Sequence, residues 1–297
     1  MSFASEIGTM YATWTDPTGQ VWELTNVDDD SGWFTTNGPG GWGAVEYEII
    51  LDPLASGGGE PRFIRAESGR VTWPLYIAGD THMEFLTRYR AIKRAILMTV
   101  HRGQLGVLRV ARPDGSAREL RCFYESGLRG EPGENWVKAQ PVVTFLAPDG
   151  YWRDVEETVI EHSYVGTPVS FFDPFFTVSD SQVLGEATIT NVGDVDAWPE
   201  WTITGPMTSI AATNHTTGKA FTLDHALTSG EQITIRTARP RPMVRGPADI
   251  NLVGALNWPA AQLWPLIPDL NEIEFDVAGA AAGTKTQLRY FNRYDGA

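Results

Sequence analysis

The chain holds one cysteine, Cys122, among 297 residues. That excludes an internal disulfide and with it the small disulfide-stapled folds. Cys122 sits in the apolar stretch Leu120, Cys122, Tyr124 and reads as a buried, inert thiol; a catalytic thiol needs an activating base, and no neighbouring residue supplies one. Lysine is scarce as well, 4 of 23 basic residues, against 37 acidic ones, which leaves a formal net charge of −14. The basic footprint of a protein that grips nucleic acid is missing. No apolar run approaches the roughly 20 residues that cross a bilayer, so membrane insertion is not expected. Met1–Met10 carries Glu6 and no basic stretch, so no signal peptide is expected either.

Chemistry-bearing patterns are equally thin. The five histidines, His82, His101, His162, His215 and His225, are scattered, with no pair at a helical metal-ligand spacing. There is no Gly-x-Ser-x-Gly elbow and no GxGxxG. The triplet Gly57-Gly58-Gly59 lacks the Gly-Lys-Ser/Thr of a phosphate cradle. Asp194 and Asp196 flank one residue and offer too few oxygens for calcium; they read as turn residues. No catalytic residue, cofactor site or metal site is expected.

What is present is β-pattern. Short alternating runs are broken by Gly, Pro and Asp turns. Met10 to Thr15 and Gln20 to Thr25 flank Asp16-Pro17-Thr18-Gly19, and Val107 to Ala111 and Glu119 to Tyr124 flank Arg112-Pro113-Asp114-Gly115. Both have the turn chemistry of a hairpin. Ala44 to Leu51, Gly69 to Ile77 and Trp136 to Phe145 read as further strands. One segment differs: Thr81 and Glu84 stand at capping-box spacing, and Phe85, Tyr89, Ile92 and Ile96 then form one apolar stripe. This predicts a single long helix at about residues 81–98. The domain boundary falls near Trp152 to Glu161, giving domains 1–155 and 156–297. The second half alternates at Glu186 to Asn191, Glu200 to Thr204, Lys219 to Leu223, Gln232 to Thr237, Glu272 to Val277 and Thr286 to Asn292, spaced as in a β-sandwich. The 11 tryptophans suit cores and subunit contacts.

The order of these segments resembles a known family. It runs from Arg70-Val71-Thr72-Trp73-Pro74-Leu75-Tyr76-Ile77 and Gly79 through the helix and Gly106-Val107-Leu108 with Asp114-Gly115. The Gly127-Leu128 step and Phe145-Leu146-Ala147-Pro148-Asp149-Gly150-Tyr151-Trp152 follow. Then come Asn191-Val192-Gly193-Asp194-Val195-Asp196-Ala197-Trp198-Pro199, Ile203-Thr204-Gly205-Pro206 and Trp264-Pro265-Leu266-Ile267-Pro268-Asp269-Leu270-Asn271-Glu272-Ile273. Together they are similar to the distal tail (Dit) proteins of long-tailed phages, and the likeness spans almost the whole chain. The chain departs from the family pattern at Gly150, where proline is usual, and at Asp269, where glycine is usual.

The resemblance implies an all-β fold with one flanking helix: a tail-tube-like split β-barrel or sandwich, then a galectin-like β-sandwich. It implies a non-enzymatic virion protein at the tail tip, made in the bacterial host cytoplasm, and a homohexameric ring. The partners implied are the tail tube protein, a tail-tip hub or tail-associated protein and the tape measure protein, with DNA passing through unbound. Because phosphates bind any cationic wall by counterion release, a lumen should be acidic, and Asp28, Asp29 and Asp30 are the densest acidic run to face it. The alternative is a carbohydrate-binding tail module. Its candidates are Trp258 and Trp264, and less so Trp198 and Trp201, although tryptophans beside Pro259 and Pro265 more often pack.

Overall fold

The computed structural model describes residues 10–25, 32–36, 38–129, 136–164, 183–238 and 243–297. The chain divides into two compact units, Met1–Val155 with Tyr294–Ala297, and Glu156–Arg293. Among the described residues the fold is β throughout, apart from one α-helix and short 3-10 turns.

Unit 1 contains β1 (Tyr11–Thr15), β2 (Val21–Glu23), β3 (Trp33–Thr35), β4 (Tyr47–Pro53), β5 (Gly59–Ala66), β6 (Gly69–Ala78), α1 (His82–Arg102), β7 (Gly106–Ala111), β8 (Ala117–Ser126), β9 (Lys138–Ala139), β10 (Val142–Ala147) and β11 (Trp152–Asp154). Its main sheet is a curled half-barrel in the order β2-β1-β7-β8-β10-β6-β3. The two turns read from sequence close the hairpins β1–β2 and β7–β8. In the first, Gly19 has φ +89, a left-handed conformation open to glycine. Asp16 Oδ1 accepts from Thr18 N at 2.8 Å and from the Thr18 hydroxyl, and Oδ2 accepts from Trp22 Nε1 at 3.0 Å.

Helix α1 starts where the capping residues place it. The Thr81 hydroxyl accepts from Glu84 N at 3.2 Å, and Glu84 Oε2 accepts from Asp80 N at 2.9 Å, one residue further out than in a reciprocal box. Phe85, Tyr89, Ile92 and Ile96 are buried, as their spacing requires. The helix runs four residues past the expected Met98, to a left-handed Gly103 cap. Thr99 and Val100 are β-branched and weak helix formers. Packing overrides that: Thr99 is buried, its hydroxyl donates to Ile96 O and accepts from Tyr124 N, both at 3.0 Å, and this ties the helix to β8. Beneath lies a core of Trp14, Trp73, Phe145 and Trp152, with Trp14 and Phe145 stacked at 4.7 Å. Cys122 is enclosed there, and burial pushes its thiol well above the ordinary value.

Unit 2 contains β12 (Thr158–Ser163), β13 (Val183–Asn191), β14 (Glu200–Thr204), β15 (Met207–Asn214), β16 (Lys219–Leu227), β17 (Gln232–Arg236), β18 (Met243–Arg245), β19 (Asp269–Ala278) and β20 (Lys285–Tyr290). Sheets β12-β20-β14-β17-β18 and β13-β19-β15-β16 share one core, a sandwich. Strands β12, β15 and β18 add to those read from sequence. A last short strand, β21 (Arg293–Tyr294), leads to a tail that the sequence reading left in the second domain. Tyr294–Ala297 instead pack in unit 1, because two arginines hold them. Arg112 donates to Ala297 O at 2.8 Å, and Arg118 donates to Gly296 O while its guanidinium lies 3.7 Å over the Tyr294 ring.

Candidate functional site

Among the described residues, strands β4 and β5 form a two-stranded sheet that joins no other. Their register sets Ile49 opposite Ile64 and Ile50 opposite Phe63. Successive side chains alternate faces, so Tyr47, Ile49 and Ile64 lie on one face and Ile50 and Phe63 on the other. All five are exposed, Ile49 and Ile64 at 57% each, and Leu51 and Leu54 extend the apolar surface toward the tip. Ion pairs Arg62–Asp52 at 2.8 Å and Arg65–Glu48 at 2.7 Å staple the strands to each other. At the base, the Tyr47 and Tyr151 hydroxyls meet at 3.0 Å. An isolated hairpin is marginal in water, and apolar side chains on both its faces are the mark of a surface completed by a partner. The sequence reading placed β4 but missed β5, whose Pro61 breaks the alternating pattern. The usable signal was Gly57-Gly58-Gly59 between Ile49-Ile50-Leu51 and Phe63-Ile64, a turn flanked by two apolar runs.

The tryptophans separate cleanly. Trp264 is 0% exposed and meets Trp201 edge-on at 5.7 Å, so both belong to the sandwich core. Neither has a face to offer a sugar, which removes Trp264 from the candidate contacts. Trp258 is 52% exposed, and its Nε1 donates to Val253 O at 2.8 Å, which fixes the ring on the surface. Trp198 is half-buried. Asp28, Asp29 and Asp30 lie outside the described residues.

The segments that carried the family resemblance turn out to be structural ties. Asn191 is buried; its Nδ2 donates to Val195 O at 3.0 Å and Leu266 O at 2.9 Å, and its Oδ1 accepts from Gly193 N at 3.0 Å. Asn271, also buried, accepts from Ile267 N at 3.0 Å and Asn214 Nδ2 at 3.2 Å, and donates to Ile267 O at 2.8 Å and Asp269 O at 3.2 Å. The two asparagines hold the Leu266–Asp269 turn from both sides. Within it Asp269 has φ +70, the conformation that glycine serves best and aspartate tolerates. Gly150 has φ +77, which no proline can adopt.

In unit 1 a groove of about 700 Å³ is lined by Phe34, Tyr76, Asp80, Arg88 and Lys138. Arg88 in it is engaged by Glu84 at 2.7 Å and Ala78 O at 2.8 Å. Among the described residues, no three His, Cys, Asp or Glu side chains come together to hold a metal. No helix there is long and apolar enough to cross a membrane.

This architecture, a half-barrel with one helix followed by a β-sandwich, is the fold of phage distal tail and baseplate proteins. The Dit (gp 19.1) protein of phage SPP1, described as a paradigm of the hub adsorption apparatus in phages that infect Gram-positive bacteria, superposes with a TM-score of 0.64. The match covers 96% of this chain and 98% of that one at 13% identity. A chain of the phage P2 baseplate in its activated conformation with Ca gives 0.56 over 97% and 99% at 12% identity. The activated phage p2 baseplate with Sr gives 0.50 over 91% and 98% at 13% identity. No protein-family model matches the sequence, and no curated protein is similar to it at the sequence level. At such identities the likeness is one of fold.

Proposed function

We propose that the chain is a structural subunit of a phage tail, a distal tail protein forming a homohexameric ring between the tail tube and the baseplate or tail-tip hub. The observation that carries the reading is the β4–β5 hairpin: it exposes Ile49, Ile50, Phe63 and Ile64 outside both cores, on the fold shared with SPP1 Dit. A ring closes by heterologous contacts, one patch meeting a different patch of the next copy, and a protruding hairpin is such a patch. Unit 1 forms the ring in this reading, and unit 2, a galectin-like sandwich, lies outside it. The neighbours in the virion are the tail tube protein, the hub or tail-associated protein and the tape measure protein. DNA passes through without specific binding, and no catalytic step is assigned. Gold labelling of a tagged copy in purified phage tails tests the location: label at the tip supports the reading, and label elsewhere, or none in the virion, overturns it. For the acidic run, Asp28→Lys, Asp29→Lys and Asp30→Lys together should slow DNA release and leave tails intact; unchanged release kinetics remove that role.

A second reading, sugar binding by unit 2, is favoured by one observation, the exposed and fixed ring of Trp258. Stacking on an aromatic face is the usual basis of such binding. Glycan-array signal that disappears in Trp258→Ala would establish it, and the absence of signal in the unchanged chain would end it.

A further inference from the structure

Helix α1 carries five cations, Arg88, Arg90, Lys93, Arg94 and Arg102, against one carboxylate, Glu84, in a chain whose formal net charge is −14. Arg88 is spent on Glu84. Among the described residues, Arg90, Lys93, Arg94 and Arg102 have no ion-pair partner. Arg90 and Arg94 lie one turn apart on the solvent side, opposite the buried Phe85, Tyr89, Ile92 and Ile96.

The outward face of the β13-β19-β15-β16 sheet has the reverse character. Along β19 the buried Asn271, Ile273, Phe275 and Val277 alternate with Glu272, Glu274 and Asp276, which therefore share the outer face. On β13, Glu186 is exposed directly opposite Glu274. Like charges directly opposed across strands are unfavourable. The nearby relief is His215, whose Nε2 meets Glu274 at 2.8 Å. Asp276 Oδ1 is buried without a partner. Outer-face carboxylates on β19 repeat at about 6.7 Å, two residues of strand. Arg90 and Arg94 repeat at about 6 Å, four residues of helix. The two rows match in spacing and are opposite in sign.

We infer that the cationic face of α1 docks on the Glu186, Glu272, Glu274 and Asp276 face of a second copy of this chain. The contact rests on the reading of the chain as a self-assembling subunit and adds to the hairpin a second, polar interface. Being heterologous, it is compatible with a closed ring. It is also largely solvent-exposed, so salt screens it.

Sedimentation velocity of the full chain tests this across salt concentrations. Arg90→Glu with Arg94→Glu, and separately Glu186→Arg with Glu272→Arg, should each weaken self-association about tenfold or more at low salt. High salt should weaken the unchanged chain in the same way. Carrying all four changes in one chain swaps both faces and should restore association, as should mixing the two double variants. Thermal unfolding of each variant checks that it is folded. Charge variants that associate as the unchanged chain does, or a folded four-fold variant that fails to recover, overturn the contact and leave the hairpin reading standing. A different acidic partner for the helix would show as this same failure of recovery. A chain that is monomeric at every salt and concentration overturns the self-assembly reading itself.

Discussion

Asp16 is buried in the first hairpin turn and held ionised there. Burial alone pushes its carboxyl pKa up, but hydrogen bonds from the Thr18 side chain, Trp22 Nε1 and the Thr18 and Gln20 amides outweigh it and hold the group below its ordinary 3.8. A folded-state pKa below the unfolded one adds stability that is complete above the unfolded value and is lost as pH falls through the folded one. Asp16→Asn should therefore unfold at lower denaturant than the unchanged chain at neutral pH, by about 1–3 kcal/mol. The gap should close in the acid range below about pH 4; a gap constant with pH would contradict the account. Asn271 is the corresponding point in unit 2. Asn271→Ala leaves Ile267 N and O unpartnered and should cost about 2–3 kcal/mol, read as a lower denaturant midpoint with an unchanged slope. Residue roles of this kind were half legible. Asp-Pro-x-Gly announces a turn by its own chemistry, whereas Asn191 and Asn271 stood out only as parts of a resemblance. Each has partners two to four residues away but also one distant partner, Leu266 at 75 residues and Asn214 at 57, and no local pattern carries that distance.

Among the elements, helix α1 was the clearest in sequence, because cap, stripe and terminating Gly103 all agree. Its last turn was not, because Thr99 is helical through a long-range bond to β8. Thr99→Val keeps the shape and removes the hydroxyl, leaving Tyr124 N without its acceptor. It should cost about 1–3 kcal/mol and loosen the helix C-terminus, seen as faster amide exchange at residues 99–103 than at the helix centre. Unchanged exchange there would mean the bond contributes nothing. Strands that alternate between core and solvent were read correctly, as at β6, β14 and β17. β5 was missed because its residues are exposed on both faces, so burial imposes no alternation on them. For Trp264 the sequence favours packing over a sugar contact, and the ring is indeed buried, although flanking Pro265 marks a loop. Sequence pattern reports what a segment packs against within the chain. It is weakest where the partner surface belongs to another molecule.

At the scale of the whole molecule, the all-β class and the long helix at residues 82–102 followed from periodicity and turn chemistry, while the Dit-like fold came through the order of segments. The composition hinted at assembly only through its 11 tryptophans, which suit cores as well as subunit contacts. In the proposed reading assembly enters through the hairpin, a pair of strands joined by the Arg62–Asp52 and Arg65–Glu48 ion pairs and exposed on both faces. In that reading another copy of the chain covers the hairpin. Replacing Ile49 and Ile64, which face each other on one side, with lysine puts charge into that contact without touching either core. Mass measurement of the full chain in solution at high concentration, with and without Ile49→Lys and Ile64→Lys, tests it most directly. The account predicts a species of six times the 32.7 kDa chain mass for the unchanged protein and a folded monomer for the variant; a variant that assembles as fully as the unchanged chain would contradict it.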